Sequence, residues 1–156
     1  MPSKPDKVII SDTACLIGLT NIQQIDLLRE MYDSIVVTPE VVEEYGAPLP
    51  EWITIQAVSD SNKTSVFHKF IGLGESSSIA LAMETENALL IVDDRRARHF
   101  ALSLGLEITG TLGLLIRAYE NNIIQDIDSV IAALREADFR LPANTETLIN
   151  TIKKQK

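Results

Sequence analysis

The run Ala88-Leu89-Leu90-Ile91-Val92-Asp93-Asp94-Arg95-Arg96-Ala97-Arg98 decides how the chain folds. Its first five residues are apolar without alternation, as in a strand buried on both faces. Two adjacent acids stop the run. Three arginines follow, and residues 94–104 read as a helix closed by Gly105. The same grammar of strand, polar turn and helix recurs. Residues 7–11 (KVIIS) are a short apolar run ending at Asp12. Residues 34–37 (SIVV) precede Thr38-Pro39, an N-cap and first-turn proline for a short helix that Gly46, Pro48 and Pro50 break. Residues 52–58 (WITIQAV) alternate like an edge strand, and 106–108 read as a brief strand.

Helical spacing fills the intervals. Ile22, Ile25, Leu28 and Met31 recur at threes, a polar helix is predicted around 61–70, and a Ser- and Ala-rich helix runs from Glu75 to about Thr85. Gly110 to Asn121 reads as another. The last third carries Ile127, Val130, Ile131 and Leu134, then Leu148, Ile149 and Ile152 after a break at Leu141-Pro142. The tail Lys153-Lys154-Gln155-Lys156 reads as a frayed, solvated end. Strands alternating with helices, the best strands wholly apolar, predict an α/β fold with a parallel sheet covered on both faces. No repeat or linker divides the 156 residues, so one domain is expected.

Composition narrows the function. The chain is 46% apolar, an ordinary globular value. No apolar run approaches a membrane span, and the N-terminal MPSKPDK lacks the apolar core of a signal peptide. One cysteine, Cys15, excludes an internal disulfide and reads as a buried small hydrophobe; a cytoplasmic location is the expectation. The net charge of −8 argues against a passive nucleic-acid-binding module. It argues less against a metal nuclease, whose acids count toward that total and are partly neutralised by bound cations.

In an open α/β sheet, ligands bind beyond the carboxyl ends of the strands. Asp12 ends the first strand, and Asp93 and Asp94 end the best later one. Glu75 follows the turn Gly72-Leu73-Gly74 at a helix start, and Glu40, Glu43 and Glu44 lie on the helix after the second strand. Each acid taken alone has a plain reading as a helix cap or solvated face. Taken together they would repel one another unless a hard cation sat among them, which suits Mg²⁺ or Mn²⁺. Zinc is disfavoured, because His68, His99 and Cys15 are scattered. Arg95, Arg96 and Arg98 have two readings: contact with a backbone phosphate if the site is a nuclease, or a solvated helix face paired with Glu84 or Glu86. No phosphate loop, dinucleotide fingerprint or nucleophile elbow is present.

Four stretches carry a family resemblance: IISDTACLIGL (9–19), VVTPEVVEEYG (36–46), GLGESSSIALA (72–82) and LLIVDDRRARHFALSLGLEITGTLGLL (89–115). They resemble the PIN-domain ribonucleases, which include the VapC-type toxins of toxin–antitoxin pairs. They look most like a subgroup with G-E-x-x-x-I-A-L-A and D-D-x-x-A-R signatures. The resemblance covers most of residues 7–125, leaving 126–156 as C-terminal helices of one domain, 1–156. It implies a three-layer α/β/α sandwich with a central parallel sheet, and four acids binding Mg²⁺ or Mn²⁺. Asp12 matches the first acid, Glu44 (with Glu43 as fallback) the second, Glu75 the third, and Asp93 or Asp94 the fourth. The family usually has a hydroxyl or amide residue just before the fourth acid. Val92 and Asp93 stand ahead of Asp94 here, so the register stays open. The implied activity is metal-dependent hydrolysis of single-stranded RNA. The implied partners are RNA, an antitoxin protein and a second copy in a homodimer, with no membrane. The alternative is a non-catalytic PIN-like module that binds a protein partner or RNA.

Overall fold

The computed structural model describes residues 4–156; the first three residues of MPSKPDK lie outside them. Five strands form one sheet in the order β3-β2-β1-β4-β5, every neighbouring pair parallel. They are β1 (Val8–Ser11), β2 (Ser34–Val37), β3 (Thr54–Ile55), β4 (Ala88–Ile91) and β5 (Ile108–Thr109). Side chains alternate across the sheet, so its two faces bury different residues. Ile9, Ile35, Val37, Leu89 and Ile91 face one core, and Ile10, Val36, Leu90 and Val92 the other.

Helices α1 (Thr13–Asn21), α2 (Leu27–Met31), α7 (Thr111–Glu120), α8 (Ile127–Glu136) and α9 (Thr145–Gln155) cover the first face. Helices α5 (Leu73–Met83) and α6 (Arg95–Ser103) cover the second, with α4 (Ser61–Phe67) against α5. This is a three-layer α/β/α sandwich, as expected. Helix α3 (Pro39–Tyr45) begins as the sequence predicts. The Thr38 hydroxyl accepts the Val41 N–H, Pro39 sits in the first turn, and Gly46 closes the helix at φ 73°. No helix among the described residues is long and apolar enough to cross a membrane.

Three expectations are corrected. The helical spacing over 22–31 is not one helix: α1 ends at Asn21, Gln23 takes φ 59°, and the chain restarts at Leu27. Ile22 and Ile25 pack on the core from the intervening turn, so burial mimics a helical period. The alternating run 52–58 is an edge strand as expected but much shorter, its strand being Thr54–Ile55 alone, both exposed. The tail is helical to Gln155 and docked. Lys153 Nζ lies 2.5 Å from Asp128, and Lys156 Nζ sits 4.0 Å from the centre of the Tyr119 ring.

The strand order places the candidate site. The chain winds outward from β1 through β2 to β3, then returns to lay β4 on the other side of β1. The carboxyl ends of β1 and β4 therefore flank the switch in winding direction, where an open sheet leaves a crevice.

Candidate functional site

Asp12 and Asp93 lead out of these two neighbouring strands. Asp12 is 2% exposed. Its Oδ1 accepts the Cys15 N–H at 2.9 Å, capping α1, and its Oδ2 accepts the Asp93 N–H at 2.8 Å. Asp93 is itself anchored: Oδ1 accepts the Thr111 N–H at 2.8 Å, and Oδ2 accepts the Thr111 hydroxyl at 2.6 Å. It supplies an acceptor that Gly110, the residue before α7, cannot. A Cβ on Gly110 would stand 2.9 Å from Asp93 Oδ1 and from Arg98 Nη1, so glycine is what lets these groups close in. Asp94 caps a different helix, its Oδ2 accepting the Ala97 N–H at 2.9 Å at the start of α6. The adjacent acids thus serve two helices.

Glu44 and Glu75 approach from α3 and α5. Glu44 accepts the Thr13 hydroxyl at 2.6 Å on Oε1 and the Gly74 N–H at 3.2 Å on Oε2. A Cβ at Gly74 would collide with that carboxylate, and one at Gly72 with the carboxylate of Glu75. The turn Gly72-Leu73-Gly74 clears space for two acids. Helix α5 lies against α3, with the small, buried Ser77 bringing its hydroxyl 2.7 Å from that of Thr38, the α3 cap. Glu43 is exposed, and Glu40 lies a helical turn nearer the start of α3.

Electrostatics ties the group together. Burial, with the charge of Asp93 next, pushes the Asp12 carboxyl up to about 8; Glu75 adds to the rise. Burial also raises Asp93 against the opposing Thr111 bonds and Arg98. Burial raises half-buried Glu75, with Glu44 and Asp94 contributing. Five carboxylates, on residues 12, 44, 75, 93 and 94, therefore belong to one electrostatic neighbourhood.

The donor chemistry fits a hard cation: carboxylate oxygens alone, and one acid so buried that its charge is costly without a counter-ion. Among the described residues, no three His, Cys, Asp or Glu side chains stand ready as a metal cage. Mg²⁺ does not require one, since it keeps several waters and binds through one or two carboxylates. The nitrogen and sulfur groups nearby are few among the described residues. His68 and His99 are exposed, and burial, then Asp12, pushes the Cys15 thiol up.

The arginines divide. Arg98 donates to the Val92 carbonyl at 2.9 Å. Arg95 and Arg96 are exposed and form no salt bridge among the described residues. Glu84 accepts the Ser59 N–H instead of pairing with them. Sequence reasoning missed Thr13, Thr111 and the close approach at Gly74 and Gly110. Their signals were the paired glycines before Glu75 and the Gly110-Thr111 step after a brief strand.

Gly74→Ala tests the cleared space. The change favours the helix by up to about 1 kcal/mol, yet the new methyl displaces Glu44 from Gly74 and Thr13. Expected in a thermal melt is a metal-free protein at least as stable as the wild type, with a smaller upward shift on adding Mn²⁺. An unchanged Mn²⁺ shift would exclude Glu44 from the site.

A family model described as PIN domain matches residues 8–155, which takes in α8 and α9. Comparison with curated proteins and with solved structures gave no match.

Proposed function

Because the chain belongs to the PIN-domain family, whose members are generally nucleases, we propose that it is a metal-dependent endoribonuclease acting on single-stranded RNA. The observation that carries this reading is the buried carboxyl of Asp12, held against Asp93 at the β1–β4 switch with Glu75 close enough to raise it further. Asp12 and Asp94 would hold Mg²⁺ or Mn²⁺ directly, with Asp93, Glu44 and Glu75 binding it or its waters. Such a cation lowers the pKa of a bound water and stabilises charge on the phosphate.

The chain's own residues supply the rest. Two backbone N–H groups fix the Asp12 carboxylate, and Thr111 fixes Asp93, so neither reorganises when substrate arrives. Glu75, raised by burial and only half-buried, would take a proton from attacking water as the new P–O bond forms and the old one breaks. The leaving oxygen takes its proton from solvent. Arg95 and Arg96, without a carboxylate partner among the described residues, line a groove with Asp94 and would suit backbone phosphate. The toxin role in a toxin–antitoxin pair, a cytoplasmic location and a homodimer are extensions of the same reading.

The absence of a ready three-acid cage favours a second reading, a non-catalytic module that binds a protein or RNA. Metal response separates the two. Expected for the nuclease is cleavage of a labelled single-stranded RNA with Mn²⁺ or Mg²⁺, stopped by EDTA, and a melting temperature that rises with Mn²⁺ concentration. A protein whose melting temperature ignores both cations, and which leaves RNA intact, is the non-catalytic module.

A further inference from the structure

Three of the chain's 4 phenylalanines gather at one exposed place beside the acids. The Phe100 ring takes Phe67 edge-on at 5.0 Å and Phe70 stacked at 6.4 Å, with 26° between planes. Phe70 is left 58% exposed, an unusual placement for a phenylalanine braced by two others. Between Phe70 and α6 runs an open groove of about 730 Å³. Its walls include Arg95, Arg96 and His99, and also Asp94, the acid that caps α6, which is the groove's link to the candidate site. In a chain with 22 acids and a net charge of −8, Arg95 and Arg96 have no carboxylate partner among the described residues. Arg96 makes only a long contact, 3.5 Å, to the Phe70 carbonyl.

We propose that this groove holds a nucleotide of single-stranded RNA next to the cut phosphate, its base stacked on Phe70 and its backbone against Arg95 and Arg96. The choice of single-stranded RNA rests on the nuclease reading above; what the groove adds is where the strand sits and which side chains hold it. An exposed aromatic face beside unpaired cations is how proteins hold single strands: every base offers a π-face, and guanidinium groups track the phosphates. In a duplex the bases are already stacked and cannot reach the ring. The braced rings make a platform that need not reorganise on binding.

The test is fluorescence anisotropy with a short labelled single-stranded RNA in EDTA, so that binding is read without cleavage, alongside cleavage in Mn²⁺. Phe70→Ala is expected to weaken binding about tenfold or more, and Phe70→Trp to preserve it. Arg95→Ala with Arg96→Ala is expected to flatten the salt dependence by about 0.7 per lost contact. Duplex RNA is expected to compete poorly. The exposed position of Phe70 keeps these variants folded, and a thermal melt checks it.

If the wild type cleaves RNA and Phe70→Ala binds and cleaves equally well, the groove assignment falls while the nuclease stands. If binding depends on Phe70 but no cation brings cleavage, the groove stands and the nuclease falls. No binding together with no cleavage removes both, and cleavage without any Phe70-dependent binding removes the groove alone. Self-association that Phe70→Ala abolishes would show a second copy in the groove and overturn the proposal. So would a protein partner whose binding needs Phe70 while RNA binding does not.

Discussion

Asp12→Asn is expected to lower Mn²⁺-dependent RNA cleavage by about three orders of magnitude and to flatten the pH dependence of stability. The first effect follows from position. Asp12 is the buried acid at the β1–β4 switch, and a cation there contributes several kcal/mol to transition-state charge. Asparagine keeps the shape but carries no charge. It also offers one acceptor where Asp12 offers two, so the N–H of Cys15 or Asp93 loses its partner, at a cost of about 1–3 kcal/mol. A change in absolute stability therefore mixes two effects, whereas the pH profile isolates one.

Its sign is the reverse of the usual aspartate. The Asp12 carboxyl rises from 3.8 to about 8 on folding. Between those values the unfolded chain has released the proton and the native chain still holds it. Stability of the metal-free wild type is thus expected to fall as pH rises from about 4 to about 8. Glu75 and Asp93 are also raised and push the same way. A cation displaces the proton, so stabilisation by Mn²⁺ should grow over the same window. Chemical denaturation at pH 5, 6.5 and 8 (the values chosen to span roughly that window), with and without Mn²⁺, reads both. A metal-free wild type equally stable at all three would mean that Asp12 is not held protonated. Cleavage that survives both EDTA and Asp12→Asn would come from a contaminant and remove the nuclease assignment.

The parts of this arrangement visible in the sequence are those fixed by local chemistry. Thr38-Pro39 states a helix start in two residues, and a threonine hydroxyl with a preset φ delivers it. Apolar runs ending on Asp12 and Asp93 place acids where parallel strands end. Pairing across 81 residues was not visible: the Asp93 N–H to Asp12 bond and the Thr111 anchor exist only once β1, β4 and β5 are in register. Glycine's role at Gly74 was hidden for the same reason, since what it makes room for comes from α3, 30 residues earlier. Ile22 and Ile25 misled because a turn packed on the core buries side chains at intervals a helix also produces. The docked tail depends on Asp128 and Tyr119, distant partners that its own lysines do not announce.

The acids at 93 and 94 should separate sharply on substitution. Asp94→Asn is expected to cut cleavage by about two orders of magnitude or more with almost no change in melting temperature. Asparagine caps a helix as well as aspartate, so the Ala97 N–H keeps an acceptor, while charge is lost from the carboxylate whose Oδ2 alone is committed to that cap. Asp94→Ala should match that loss of cleavage and melt lower, a missing cap costing about 1 kcal/mol. Asp93→Asn should behave differently. An asparagine there can accept the Thr111 N–H with its oxygen and donate to the Thr111 hydroxyl with its amide, so both anchors survive. What disappears is the charge that, after burial, most raises Asp12. The metal-free variant should therefore be more stable than the wild type at pH 8, where the wild type carries that repulsion, and nearly equal to it at pH 5. Its cleavage should fall by only about ten- to a hundredfold, because the backbone N–H that holds Asp12 is kept and only a charge bound to the cation or its waters is lost. Cleavage abolished by Asp93→Asn and untouched by Asp94→Asn would reverse the assignment, making Asp93 the ligand and Asp94 a cap alone.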